Sequence, residues 1–228
     1  MSEETKLQII KLLHEKSSMK QDVFANTIKA FNELKVVLKE VVNEIKPLVD
    51  AKDKRVTLEY KDNSEYEVQI KIAGDVLVFC MHTNIFEFEN SHSIMKTSYV
   101  KENHLHSYCG LINAYNFLAD SFKYNRLNDL GYLVARIFIN SENHYFVEGK
   151  KKINVLHNDF VNSVLDKEKL KSIVFDLLLY CLEFDLFTPP FDSMREVSVY
   201  DFQQSSNAMQ IKTGKRLGFK FQSEEDIR

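Results

Sequence analysis

Between Phe24 and Leu48 the chain sets Phe24, Phe31, Leu34, Leu38, Val41, Ile45 and Leu48 at alternating spacings of three and four. Thr27 is the one polar member of that series. This spacing brings all of these side chains to one side of a helix with 3.6 residues per turn. At 1.5 Å per residue the ridge is roughly 37 Å long. Ile28, Val37, Val42 and Val49 widen the stripe beyond a narrow coiled-coil seam. A stripe that wide can face its own sheet on one side and a second copy on the other. Phe24, Phe31, Leu34, Leu38, Val41 and Ile45 therefore have two expected roles, as core or as the interface of a homodimer, with an unrelated protein partner as a third.

The rest of the chain is compatible with one body around that helix. It has 228 residues, 44% hydrophobic, with only six glycines and three prolines, and no stretch has a linker's composition. A single α+β domain over residues 1–228 is expected, with residues 1–50 as a helical segment belonging to it. The formal net charge of −3 offers no general attraction for nucleic acid or an acidic membrane. The opening MSEETKLQII lacks a signal-peptide pattern, and no apolar run is long enough to span a bilayer. Cys80, Cys109 and Cys181 are odd in number and form no CxxC pair, which fits reduced, buried thiols. A cytoplasmic location is the expectation.

A first helix is predicted over Glu3–Lys16, with Leu7, Ile10 and Leu13 on one face. Ser17-Ser18 is expected to interrupt it, Ser18 and Gln21 having capping-box spacing for the second helix. From Val56 the period changes to two. Val56–Tyr60, Tyr66–Ile72, Val76–Met81 and Ile85–Glu89 predict a four-stranded antiparallel meander. Tyr108–Lys123 has helical spacing, and Leu133–Asn140 with His144–Glu148 predicts a hairpin. Ile153, Leu156, Phe160 and Val164 predict a helix, as does the apolar stretch from Lys167 to about Phe187, capped by Asp166. Short strands are expected near Glu196–Phe202 and Arg216–Phe221. The fold class is then α+β: a mostly antiparallel sheet, meander plus hairpin, against long N-terminal helices and a buried C-terminal helix. This order also resembles the layout of PAS- and GAF-like sensor modules, in architecture alone and without a residue motif.

No catalytic set stands out. Glu59 and Lys61 share a strand face, and with Asp75 they form the best set for a metal-dependent phosphodiester or nucleotide hydrolase. His104 and His106 point the same way on an extended chain, but lack a second ligand pair. Cys109 lies near Tyr108 and Leu111, an apolar setting that keeps a thiol inert. Thr213–Gly218 lacks the spacing of a phosphate-binding loop. The remaining feature is aromatic: 17 Phe and 10 Tyr with no Trp. Phe79 and Tyr115, with Arg136 or His144 as polar anchor, are the expected lining of a pocket for a small planar ligand. No cofactor or metal is expected. The leading expectation is a non-catalytic sensing or protein-interaction module that self-associates through its N-terminal helix.

Overall fold

The computed structural model describes residues 3–149, 152–185, 188, 190–200 and 202–203. Helix α1 (Glu3–Leu12) passes through a π-helical turn, Leu13–Ser17, directly into helix α2 (Ser18–Asp50). The predicted break at Ser17-Ser18 does not occur. Both serines have helical backbone angles, and Ser17, at the cap position, makes no side-chain cap bond. A capping hydroxyl acts where the chain enters from an extended conformation, and here the wide turn absorbs the irregularity instead. Pro47 sits inside the last turn, and the ladder resumes past it through Ala51 N–H to Pro47 O and Asp53 N–H to Val49 O.

Strands β1 (Leu58–Ser64), β2 (Glu67–Ile72), β3 (Asp75–Glu87), β4 (Tyr108–Leu118), β5 (Tyr132–Ile139) and β6 (Tyr145–Gly149) form one antiparallel sheet in sequence order. The α+β class and the antiparallel sheet are as expected. β3 is longer than expected, since Val76–Met81 and Ile85–Glu87 belong to one strand whose register with β4 slips between His82 and Phe86, and the expected strand Ile85–Glu89 ends two residues early. The predicted helix Tyr108–Lys123 is instead β4, followed by the short helix α4 (Ala119–Lys123). β4 is central, paired with β3 and β5, and both its faces are covered. Apolar residues then occur at odd and even positions alike, which erases the two-residue period that marks a strand. The helix expected over Ile153–Val164 is the short helix α5 (Lys152–Leu156), which stops at Leu156. In the expected strand Glu196–Phe202, Val199, Tyr200 and Phe202 are helical, and Arg216–Phe221 lies outside the described residues.

The core fills the space between one sheet face and two helices, α2 and α6, the latter spanning Lys167–Leu182. Phe31, Leu34, Leu38 and Val41 are fully buried there against Val68, Ile70, Phe79 and Ile112 of the sheet and Ile173 and Leu177 of α6. These four residues are therefore core, with no surface left for the dimer contact expected of them. Phe24 and Ile45 pack half-buried at the two ends, and Leu48 is exposed. Thr27, the polar member of the ridge, lies over Gly110 of β4 and donates its hydroxyl to Val23 O. A side chain at Gly110 would collide with it, so the glycine permits the close approach of α2. α6 carries one acid into this region, Asp176, whose Oδ2 lies 2.8 Å from Nε2 of the buried His157.

Candidate functional site

The opposite sheet face is filled by aromatic rings. Phe138 and Phe146 stack with centroids 4.8 Å apart, with Phe88 and Phe160 edge-on or tilted to them. Beside them Tyr99, on the short helix α3 (Ser98–Glu102), is held between two imidazoles. His106 stacks on one side at 4.0 Å and His144 on the other at 4.6 Å, both nearly parallel to the phenol ring. The Tyr99 hydroxyl donates to Glu142 Oε2 (2.6 Å) and accepts from Asn140 Nδ2 (2.9 Å).

Hydrogen bonding assigns the tautomers. His106 Nδ1 faces the Tyr99 carbonyl and His144 Nδ1 faces the Phe160 carbonyl, each at 2.9 Å. A carbonyl only accepts, so each Nδ1 carries the proton. The lone pair on His106 Nε2 then accepts from Asn103 Nδ2 (3.2 Å), and Glu142 Oε1 lies 3.3 Å from the same nitrogen. Burial, then the Glu142 bond, drives the Tyr99 phenol far above its ordinary pKa. The same bond holds the Glu142 carboxyl below its usual range against a smaller opposing effect of burial. Asn140, fully buried, accepts Glu142 N–H and His144 N–H on Oδ1 and fixes the turn. Asn26 of α2 donates to the Asn140 and Ser141 carbonyls and ties this turn to the long helix. The nest is thus a joint between three segments. Its phenol is held protonated and is a poor base or nucleophile.

The four pocket residues do not form one pocket. Phe79 pairs with Ala114 and lies in the core beneath α2, so Tyr115, the next residue along β4, falls on the opposite face. Arg136 forms an ion pair with Glu148 across β5 and β6, and His92 approaches the same carboxylate at 3.6 Å. His144 is spent on the nest. The hydrolase set is likewise dispersed. Glu59 and Lys61 share the face opposite Leu58, whereas Asp75 alternates with Leu77 and Phe79 on the core side of the sheet. Among the described residues, no group of three or more His, Cys, Asp or Glu could hold a metal ion.

Two surfaces remain open at the start of α2. The first is a groove of about 810 Å³ between α2 and the slipped part of β3, with Lys20, Phe24, Tyr66, Ile85 and Phe86 in its walls. At its rim Lys16 and Lys20 hold their ammonium groups 5.0 and 5.4 Å from the Tyr108 ring centroid, and Tyr108 donates to Glu87. The second is α1 itself. None of its residues is buried, although it carries Leu7, Ile9, Ile10 and Leu12, with Leu13 following in the π turn. These five are 41–64% exposed. The π turn adds one residue to the ladder, and one residue is about 100° of rotation. The apolar residues of α1 are therefore not a straight continuation of the stripe that α2 buries.

Comparison with known proteins is silent. No family model, curated protein or solved structure matches this chain. Among the described residues no helix is long and apolar enough to cross a membrane. Function rests on the geometry alone. The bare helix was visible in the sequence as Leu7, Ile10 and Leu13, but the Tyr99 nest was not, because its members lie tens of residues apart.

Proposed function

We propose that this protein is a non-catalytic, cytoplasmic interaction module that self-associates through its N-terminal helix, with α1 making the contact in place of the central ridge. The observation behind this reading is a helix with five large aliphatic side chains of which none is buried among the described residues. Exposed aliphatics scattered singly are ordinary, but several on one slender helix mark a surface to be covered. Continuity with α2 removes the nucleation cost that makes an isolated ten-residue helix marginal, so α1 can stand free until a partner arrives. The absence of assembled acid–base or nucleophilic groups in the nest and on β1–β3 supports a binding role.

Sedimentation velocity at tens of micromolar tests this reading. Wild type is expected to be a dimer, and Leu7→Glu and Ile10→Glu to be folded monomers with unchanged helical circular dichroism, because neither residue contributes to the core; wild type alone should show a Tm that rises with protein concentration. A monomeric wild type, or variants that dimerise as well as wild type, overturns it.

A further inference from the structure

The far end of α2 borders a cavity that neither the Tyr99 nest nor α1 uses. Between the last turns of α2 and α6 and the edge strand β1 lies a pocket of about 200 Å³. Leu58 and Leu178 are its buried floor, and Ile45, Val49 and Phe175 its half-buried walls. Leu179 and Leu182, 55% and 53% exposed, stand at its rim. The one polar side chain in the lining is Thr57, whose hydroxyl donates to the Ala73 carbonyl at 3.3 Å. A water molecule there would find too few partners to be held. A lining of this kind suits hydrocarbon. Size sets how much of it. An apolar cavity of about 150 Å³ admits a benzene-sized molecule, so this one takes a tail of roughly six to eight carbons.

Charge at the mouth adds a head group. Residues 46–57 bring Val49, Val56 and Thr57 to the pocket, and they carry four bases, Lys46, Lys52, Lys54 and Arg55, against two acids, Asp50 and Asp53. The formal charge of this segment is +2 (4 − 2) in a chain of −3. Asp53 is engaged by Arg55 at 2.6 Å. Lys46 Nζ lies 3.4 Å from the carbonyl of Leu58, a long bond, and meets no carboxylate within ion-pair distance among the described residues. Leu58 is itself part of the pocket, so this ammonium group stands beside an apolar opening with no anion opposite it.

We infer that this pocket binds a free medium-chain carboxylic acid, with its tail between α2, α6 and β1 and its carboxylate against Lys46. The two long tails of a phospholipid exceed the volume, and an alkyl amine would set cation beside cation. The site is independent of the self-association proposed above, because no residue of α1 contributes to it.

Calorimetric titration of the full chain with sodium octanoate tests this. Saturable binding is expected, about fifteenfold weaker for hexanoate, which lacks two methylenes. Dodecanoate should gain less than threefold over octanoate, its extra carbons remaining in water. Lys46→Met should weaken octanoate about two- to fivefold and leave octanol unchanged. Leu179→Trp, at a half-exposed position, gives the chain its only tryptophan. Octanoate should then shift the indole emission to shorter wavelength, or fail to bind because the ring fills the cavity. Absence of saturable octanoate binding to wild type overturns the inference. So does equal affinity for octylammonium, an unchanged octanoate affinity in Lys46→Met, or octanoate bound to Leu179→Trp with its emission unmoved. Flotation of wild type with phosphatidylglycerol vesicles that octanoate abolishes would make a membrane lipid the occupant and refute it. Octanoate that binds only by dissociating the dimer would make a second copy the occupant, and refutes it as well.

Discussion

Gly110→Ala tests the seating of α2 on the sheet. A Cβ built at Gly110 falls 2.0 Å from Thr27 Oγ1, 2.8 Å from Thr27 Cβ and 2.9 Å from Thr27 Cγ2. Carbon atoms pack at about 3.5–4.0 Å, so no rotation of the threonine relieves the clash: its Cβ is fixed to the helix. α2 must lift by several tenths of an ångström over β4, next to Phe31 and Ile112, where the core is closed on every side. Overpacking of this kind costs about 1–3 kcal/mol, and a clash with an immobile atom belongs at the upper end. Alanine recovers about 0.4–1 kcal/mol by restricting the unfolded chain, an allowance that applies because Gly110 does not have a positive φ. The net expectation is a loss of about 2 kcal/mol. In urea, with m near 2–3 kcal/mol per molar, the midpoint should fall by roughly 0.7–1 M at unchanged m. Thr27→Ala removes Oγ1 and Cγ2 but leaves Cβ. The double variant should therefore lose less than the sum of the singles, by about 1 kcal/mol. A Gly110→Ala protein within 0.5 kcal/mol of wild type, or strictly additive singles, would mean that Thr27 does not rest on β4 and that the ridge has another use.

Two further outcomes follow from burial and charge. Cys109 and Cys181 are buried while Cys80 is half-exposed, and burial raises the thiol pKa of both Cys80 and Cys109. A thiol reagent at neutral pH should modify Cys80 slowly and the other two only after denaturant is added, and three fast equivalents in the native protein would contradict the packing. The Glu142 carboxyl is held low, chiefly by the Tyr99 hydroxyl, so its charge stabilises the fold above the ordinary carboxylate pKa, and that contribution is lost as pH falls through the depressed value. Glu142→Gln should therefore lower Tm at pH 7, with the gap closing as pH falls through the depressed carboxyl value. A gap that does not change with pH would show that the ionised form contributes nothing.

How readable each element was depended on how many of its faces are covered. β2 was plain in the sequence because Val68 and Ile70 alternate with wet residues on a strand with one open face. β4 has the same backbone but two covered faces, Ile112 and Ala114 toward α2 and Cys109 and Leu111 toward the aromatic layer, and so lost its alternation. Asp166 was legible as a cap because capping is local; its side chain accepts from Lys169 N–H as expected. The Ser17-Ser18 interruption was misread because a cap is inferred from residue type alone, whereas here the chain reaches both serines already in helical angles at the end of a π turn. Tyr99, His106, Asn140 and His144 announce nothing individually, since their arrangement comes from a loop and a hairpin turn brought together across the sheet.

The spacing from Phe24 to Leu48 by itself determined that a long helix has a face to hide, because helical periodicity is a property of the chain alone. Which surface hides it depended on tertiary structure. Thr27 over Gly110, and Phe31 to Val41 between the sheet and α6, consumed the ridge internally. The π turn then left Leu7, Ile10 and Leu13 exposed, with no neighbour among the described residues burying them. Periodicity records that a surface is apolar, whereas its partner is decided by which distant segments can reach it at van der Waals distance, and that is a property of the folded whole.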